Sequence, residues 1–194
     1  MAGDGHKIVA VSDSEGAGHS EAGLHVDMLF EDKADGRSVA STAGQGGHEG
    51  MPAADLAGVD CDLLVPAALE NMIHAGNAPL VKAMLVLELA NGPVTPQADA
   101  ILARNNVIVL PDILANACGV TVSYFEWVQN RQGYYWTEEE IHDKLRVIME
   151  REGRAVWDVS RAKDVTMRTA AYVHALGRLA EAIEAHGTQN FFTS

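Results

Sequence analysis

The chain has 194 residues, 47% of them hydrophobic and 21% charged, which suffices for one well-formed core and makes a single globular unit the default expectation. Its 27 acidic side chains against 14 Lys and Arg leave a net charge of −13, which argues against nucleic acid, because holding a phosphate backbone requires clustered cations that displace counterions. No run approaches the roughly 20 uninterrupted apolar residues of a membrane helix, and the first residues are polar and glycine-rich rather than basic then apolar, so no membrane and a cytoplasmic location are expected.

Residues 7–12, rich in valine and isoleucine, read as a strand buried on both faces, the pattern of a parallel sheet. Asp13 falls at its carboxyl end. In a doubly wound sheet an acid there accepts hydrogen bonds from the ribose hydroxyls of a dinucleotide, whereas the competing reading of Ser12-Asp13-Ser14 is turn chemistry. Gly16-Ala17-Gly18 and Gly44-Gln45-Gly46-Gly47-His48-Glu49-Gly50 are expected to be flexible loops, since no convincing strand enters the second and its spacing is not that of a dinucleotide turn. Between them Val26, Leu29 and Phe30 stand at helical spacing and predict a short helix over 24–33, lying on the sheet. His6, His19, His25 and His48 form no pair at ligand spacing on one element and are expected to be solvated.

Residues 62–65 read as a second buried strand, closed by Pro66-Ala67-Ala68. Small residues there let the backbone approach a flat ring closely, although a tightly packed following helix would favour them too. Residues 84–87 predict a third strand, after which Glu88 to Pro93 turns sharply and presents Asn91, an amide able to donate and accept, at the same edge as Asp13 and Ala68. Thr95-Pro96 is an N-cap with proline at the first helical position, opening a helix through 97–104, and residues 107–110 are the next strand. Strand and helix therefore alternate, as in a parallel sheet with right-handed crossovers.

Pro111 closes that strand, and a helix starting at Asn116 would place Asn116, Val120, Ser123 and Trp127 within one narrow arc. An amide, a small apolar group, a hydroxyl and an indole in line suit a small molecule with a carboxylate and a short carbon chain, though any amphipathic helix carries some such stripe. Beyond it only helices are expected. Thr137 and Glu140 form a capping box opening a long helix with Ile141, Leu145, Ile148, Ala155, Val156 and Val159 on one face; Ala171, Ala175, Leu179, Ala182 and Ile183 mark the face of the last. His174 reads as structural, and Cys61 and Cys118, without metal or disulfide spacing, as small buried hydrophobes. The pattern is α/β: a doubly wound parallel sheet over residues 1–136, then C-terminal helices over 137–194 that pack back on it.

The run Pro111-Asp112-Ile113-Leu114-Ala115-Asn116-Ala117-Cys118-Gly119-Val120-Thr121-Val122-Ser123-Tyr124-Phe125-Glu126-Trp127 resembles the signature of glutamate dehydrogenases. Ile8 to Ser14, Cys61 to Asn71, Ala90 to Pro96, Gln132 to Thr137 and Arg168 to Tyr172 resemble, in the same order, further segments of the cofactor domain shared by glutamate, leucine, phenylalanine and valine dehydrogenases. The Tyr-Phe-Glu-Trp and Gly-Tyr-Tyr-Trp runs point to the glutamate enzymes.

The resemblance implies NAD or NADP as cofactor and oxidative deamination of L-glutamate to 2-oxoglutarate and ammonia, hydride passing from the α-carbon to C4 of the nicotinamide and the iminium being hydrolysed. It implies Asp13 and Ser14 at the adenosine ribose, Ala67 and Ala68 against the cofactor, Asn91 at the nicotinamide riboside, Asn116 and Val120 where nicotinamide meets substrate, and Ser123 donating to the substrate's side-chain carboxylate. In the family a glycine-rich turn, a catalytic lysine and a catalytic aspartate precede the Val-Ser-Asp-Ser strand, and this chain starts directly before that strand. The resemblance therefore implies an incomplete Rossmann-like sheet whose C-terminal helices form a hinge, and a cofactor-binding portion with no catalytic or metal-ligating residue of its own, inactive alone, acting as a homo-oligomer or beside a complementary chain. Cys118, where the family usually has glycine, is expected to crowd the ring or reshape the turn. The alternative from another class is a non-catalytic interaction protein derived from the same fold.

Overall fold

The computed structural model describes residues 2–44 and 47–186, and the chain divides into two compact units, Met1–Asp62 with Gly76–Met84, and Leu63–Ala75 with Leu85–Ser194. Among the described residues no helix is long and apolar enough to cross a membrane.

The first unit is built on an antiparallel sheet of β1 (Ala10–Ser12), β2 (Ala17–His19) and β3 (Glu49–Met51), in that order, with Ala10 opposite His19 and Ala17 opposite Met51. This corrects the reading of residues 7–12 as a strand of the parallel sheet: β1 is short, half-buried and paired by a reversal of the chain. The Asp13 amide donates to the Gly16 carbonyl at 2.8 Å and the Asp13 carboxylate accepts from the Glu15 amide at 3.0 Å, so local turn chemistry folds the chain back before any crossover can form. The runs 16–18 and 44–50, expected to be loops, overlap the other two strands, Ala17–His19 and Glu49–Met51; Gln45 and Gly46 lie outside the described residues. The glycines serve close approach rather than flexibility. A Cβ on Gly16 would stand 2.7 Å from that of Ala40, and one on Gly18 2.8 Å from the His48 ring, so residues 38–43 pack directly on backbone.

His48 is correspondingly buried rather than solvated, its Nε2 3.4 Å from both Thr42 Oγ1 and the Val39 carbonyl. The predicted helix is α1 (Val26–Ala34); Leu29 is buried but Phe30 is exposed, so its inward stripe is narrower than the spacing suggested.

The second unit holds the parallel sheet, β4 (Leu63–Leu64), β5 (Leu85–Leu87) and β6 (Ile108–Leu110), with Leu63 opposite Leu85 and Val86 opposite Val109. Between β5 and β6 lies α2 (Pro96–Arg104), opened as expected by Thr95, whose hydroxyl accepts from the Ala98 amide at 3.3 Å. Ala98 and Leu102 of α2 and Val86 of β5 are completely buried. The α/β class with a parallel sheet and C-terminal helices is thus the one found.

Pro111 leads into one turn of helix, α3 (Asp112–Ala115), and after Asn116 into α4 (Ala117–Gln132), which Gly133 ends at φ 68°. Gln129 fastens this end: its Nε2 donates to the Phe125 carbonyl at 3.2 Å and its Oε1 accepts from the Trp136 amide at 2.6 Å. The Thr137–Glu140 capping box is complete and opens α5 (Glu138–Lys163). Val156 of α5 packs with Met167, Ala170 and Ala171 of α6 (Met167–His186) and with Leu110, Leu114, Val159 and Val165.

Farther along α6 the predicted face is corrected. Ala171, His174 and Ala175 turn inward, His174 Nε2 2.8 Å from the Glu152 carboxylate, which exposed Arg178 also meets at 3.0 Å and whose pKa is lowered chiefly by the His174 bond. Leu179 and Ile183 instead follow Tyr172 and Leu176 onto the outer surface, more than half exposed. Polar anchoring to α5 sets the roll of this helix over hydrophobic periodicity.

Candidate functional site

The carboxyl ends of β5 and β6 in the second unit carry two amides in contact. The backbone leaves β5 at Glu88 and turns at Gly92, whose φ of 56° suits a residue without Cβ. Asn91 stands in that turn. Asn116 stands at the joint between α3 and α4, at φ −93° and ψ 2°, so the helix is interrupted at Asn116 and does not start there as predicted. Its Nδ2 donates to Asn91 Oδ1 at 2.7 Å. That bond consumes one donor and one acceptor and leaves the Asn91 Nδ2 donors and the Asn116 Oδ1 acceptor, the complement of a carboxamide.

Ala67 and Ala68 follow β4, and the Pro66 carbonyl beside them accepts from the Leu89 and Ala90 amides at 3.1 and 3.0 Å, tying their loop to the one carrying Asn91. Both alanines are exposed. Val120 and Ser123 project from α4, Val120 with 71% of its surface open, while the Ser123 hydroxyl donates to the Gly119 carbonyl at 3.1 Å within the helix. Cys118 sits in the first turn of α4, its Sγ 3.8 Å from the Asn116 carbonyl. Its φ is not among the positive ones, so the backbone at this position does not itself require glycine.

What holds this edge was missed by reading the sequence. Arg168 at the start of α6 donates through both terminal nitrogens to Glu88, at 2.7 and 3.0 Å, and through Nε to Asp99 at 3.1 Å. Glu88 has no exposed surface. Its Oε2 also accepts from the Asp112 amide at 2.7 Å, and Asp112 Oδ2 accepts from the Gly92 amide at 2.8 Å. Burial opposes the charge on Arg168, but hydrogen bonding and attraction from Glu88, then Asp99, outweigh it and its pKa is raised. The available signal was a single acid inside the apolar run 85–90: a charge placed so is buried only with a partner.

Asp13 and Ser14 belong to the first unit. Asp13 Oδ2 accepts from Lys33 Nζ and from the Val39 amide, both at 2.9 Å, and Ser14 is exposed. The Lys33 bond first, then the Val39 amide, hold the Asp13 carboxyl at about 2, below its ordinary 3.8. A carboxyl whose pKa falls on folding stabilises the fold above its unfolded pKa and ceases to do so as the pH drops through the folded one. Lys33 is half exposed and the ion pair is screened, so a modest effect is expected. Asp13→Asn should lower the melting temperature at neutral pH, and the gap to the parent chain should close between pH 3.8 and about 2, which melting curves across that range will show. No group of His, Cys, Asp and Glu among the described residues is arranged to hold a metal ion.

The family model of the glutamate/leucine/phenylalanine/valine dehydrogenases matches residues 1–187. The chain belongs to this dehydrogenase family. It is 46% identical over 195 aligned positions to an NADP-specific glutamate dehydrogenase of Synechocystis sp., covering 97% of this chain and 46% of that protein. It is 45% identical over 183 positions to an NAD-specific glutamate dehydrogenase of Staphylococcus aureus, covering 94% and 43%. Among solved structures, the leucine-bound, hetero-hexameric glutamate dehydrogenase of Thermus thermophilus superposes with a TM-score of 0.86 at 28% identity over 95% of this chain and 43% of that one. The Peptoniphilus asaccharolyticus glutamate dehydrogenase superposes at 0.76 and 33% identity over 96% and 42%. This dehydrogenase-family chain thus spans a little under half the length of the relatives it matches.

Proposed function

We propose that this chain is the dinucleotide-binding portion of a glutamate dehydrogenase, taking NAD or NADP and serving the oxidative deamination of L-glutamate to 2-oxoglutarate. The observation that carries the reading is the Asn116–Asn91 amide pair at the carboxyl ends of β5 and β6, the side of a parallel sheet on which ligands bind. Its remaining donors and acceptor fit the carboxamide of nicotinamide, and the exposed alanines 67 and 68 leave room for a flat ring. When bound, nicotinamide accepts the hydride at C4; this chain's residues orient and bind. Val120 offers the substrate's carbon chain an open apolar wall, and the Ser123 hydroxyl, by exchanging its Gly119 bond, donates to the distal carboxylate. Asp13 and Ser14 serve the adenosine ribose, for which Asp13 gives up its Lys33 bond.

In this reading residues 1–136 hold the dinucleotide and 137–194 form the hinge. The lysine, aspartate and glycine-rich turn that the family resemblance calls for are supplied by a segment outside these 194 residues, on this polypeptide or a complementary one. The assembly is oligomeric and cytoplasmic. Titration of the purified chain with NADH, followed by nicotinamide fluorescence, tests it: saturable binding is expected, lost in both Asp13→Ala and Asn91→Ala. A folded chain that binds no NADH contradicts the reading. A second reading, a non-catalytic interaction protein, is favoured by one observation, the outer stripe of α6 formed by Tyr172, Leu176 and Leu179, each about half exposed or more. A stable monomer without dinucleotide affinity would select it.

A further inference from the structure

Both amides of the site are tied to one residue, Asp112. Asn91 is referred to it through its neighbour Gly92, whose amide donates to Asp112 Oδ2 at 2.8 Å. Asn116 is referred to it through the single turn of α3, its amide donating to the Asp112 carbonyl at 3.0 Å. Asp112 is in turn held from below: its own amide donates to Glu88 Oε2 at 2.7 Å, and its Oδ1 lies 3.6 Å from Arg168 Nη1. Glu88 has no freedom of its own, being wholly buried and gripped by both terminal nitrogens of Arg168.

We propose that Arg168 is a positioning residue for the Asn91–Asn116 pair, so that the seating of α6 sets the geometry of the amides that meet the ligand. The inference rests on the functional reading for its purpose but not for its geometry. Arg168 touches neither amide. It acts through Glu88 and Asp112, a path of charge-assisted hydrogen bonds in a buried setting where a planar fork fixes direction as well as distance. Its bond to Asp99 on α2 lies off this path and serves packing alone. A displacement of α6, the last helix among the described residues, would therefore reach the site without any contact between the two.

The test uses the full chain labelled with nitrogen-15, reading the side-chain amide resonances of Asn91 and Asn116, assigned with Asn91→Asp and Asn116→Asp. Arg168→Lys keeps the charge and loses the fork. It should move both amides toward the positions of free asparagine and speed their exchange with solvent. Asp112→Ala, which breaks the Gly92 link but keeps the backbone bonds of residue 112 to Glu88 and Asn116, should move the Asn91 amide and, through their shared bond, that of Asn116; if Arg168→Lys does not fold, Arg168→Gln, which keeps donors toward Glu88, takes its place. Asp99→Asn removes a partner of the same guanidinium and should leave both resonances in place. The proposal is overturned if Asp112→Ala leaves the amides unmoved, if folded Arg168→Lys does so, or if Asp99→Asn shifts them as far. The readout needs no dinucleotide, so failure of NADH binding and failure of this proposal are distinguishable.

Discussion

Arg168→Met is expected to destabilise the chain by about 3–5 kcal/mol, the usual cost of leaving one member of a buried ion pair behind. The magnitude follows from what remains. Glu88 has no exposed surface, and without Arg168 its carboxylate keeps, among the described residues, the Asp112 amide alone as a charge-stabilising contact. The double substitution Arg168→Met with Glu88→Gln should recover a substantial part of the loss, because the unpaired charge is then gone, and the difference between single and double variants measures the coupling. Urea unfolding of the four proteins in this cycle provides the numbers. A single variant within about 0.5 kcal/mol of the parent, the range of ordinary surface changes, would mean that the pair does not hold α6 to the sheet.

Leu102→Ala is expected to cost about 2–5 kcal/mol, the range for truncating a fully buried leucine. Leu102 is completely covered and lies on α2, and its carbonyl accepts from the Val107 amide at 3.0 Å where the chain leaves the helix for β6. Truncation there removes the side chain that seats α2 on the sheet, and α2 also carries Asp99. Leu102→Met, which nearly conserves volume, should cost less than about 1.5 kcal/mol. Thermal melting of the two variants separates cavity formation from a general intolerance of change at this position.

The legible parts of this fold are those written locally. Thr95 and Thr137 could be recognised as caps because donor and acceptor lie three residues apart, and β5, α2 and β6 because each carries its own period. Asn91 and Asn116 were each singled out, by the sheet edge and the family motifs, but neither their mutual hydrogen bond nor the break in the helix at Asn116 was foreseen. Arg168 and Glu88 are 80 residues apart, and nothing local in either joins them. The first unit misled for another reason. Its glycine runs were read as loops because no convincing strand enters the second and its spacing is not that of a dinucleotide turn, whereas residues 38–43 lie so close to the sheet that only glycine fits beneath them. His48 was misread with them: its burial depends on Thr42 and Val39, whose positions the sequence does not specify.

That glycine-floored packing has a calorimetric consequence. Among the described residues, the buried apolar ones of the first unit are Ala17, Leu29, Val39, Ala57, Val59, Ala78, Val81 and Ala83, half of them alanine and none aromatic, and Val39 lies against the Gly18 backbone. The heat capacity released on unfolding rises with the apolar surface exposed and falls with the polar surface, so this unit contributes little to it per residue. It is expected to add little curvature to the temperature dependence of the chain's stability, the larger share coming from the second unit, whose buried side chains include Ile73, Leu102, Phe125 and Met167.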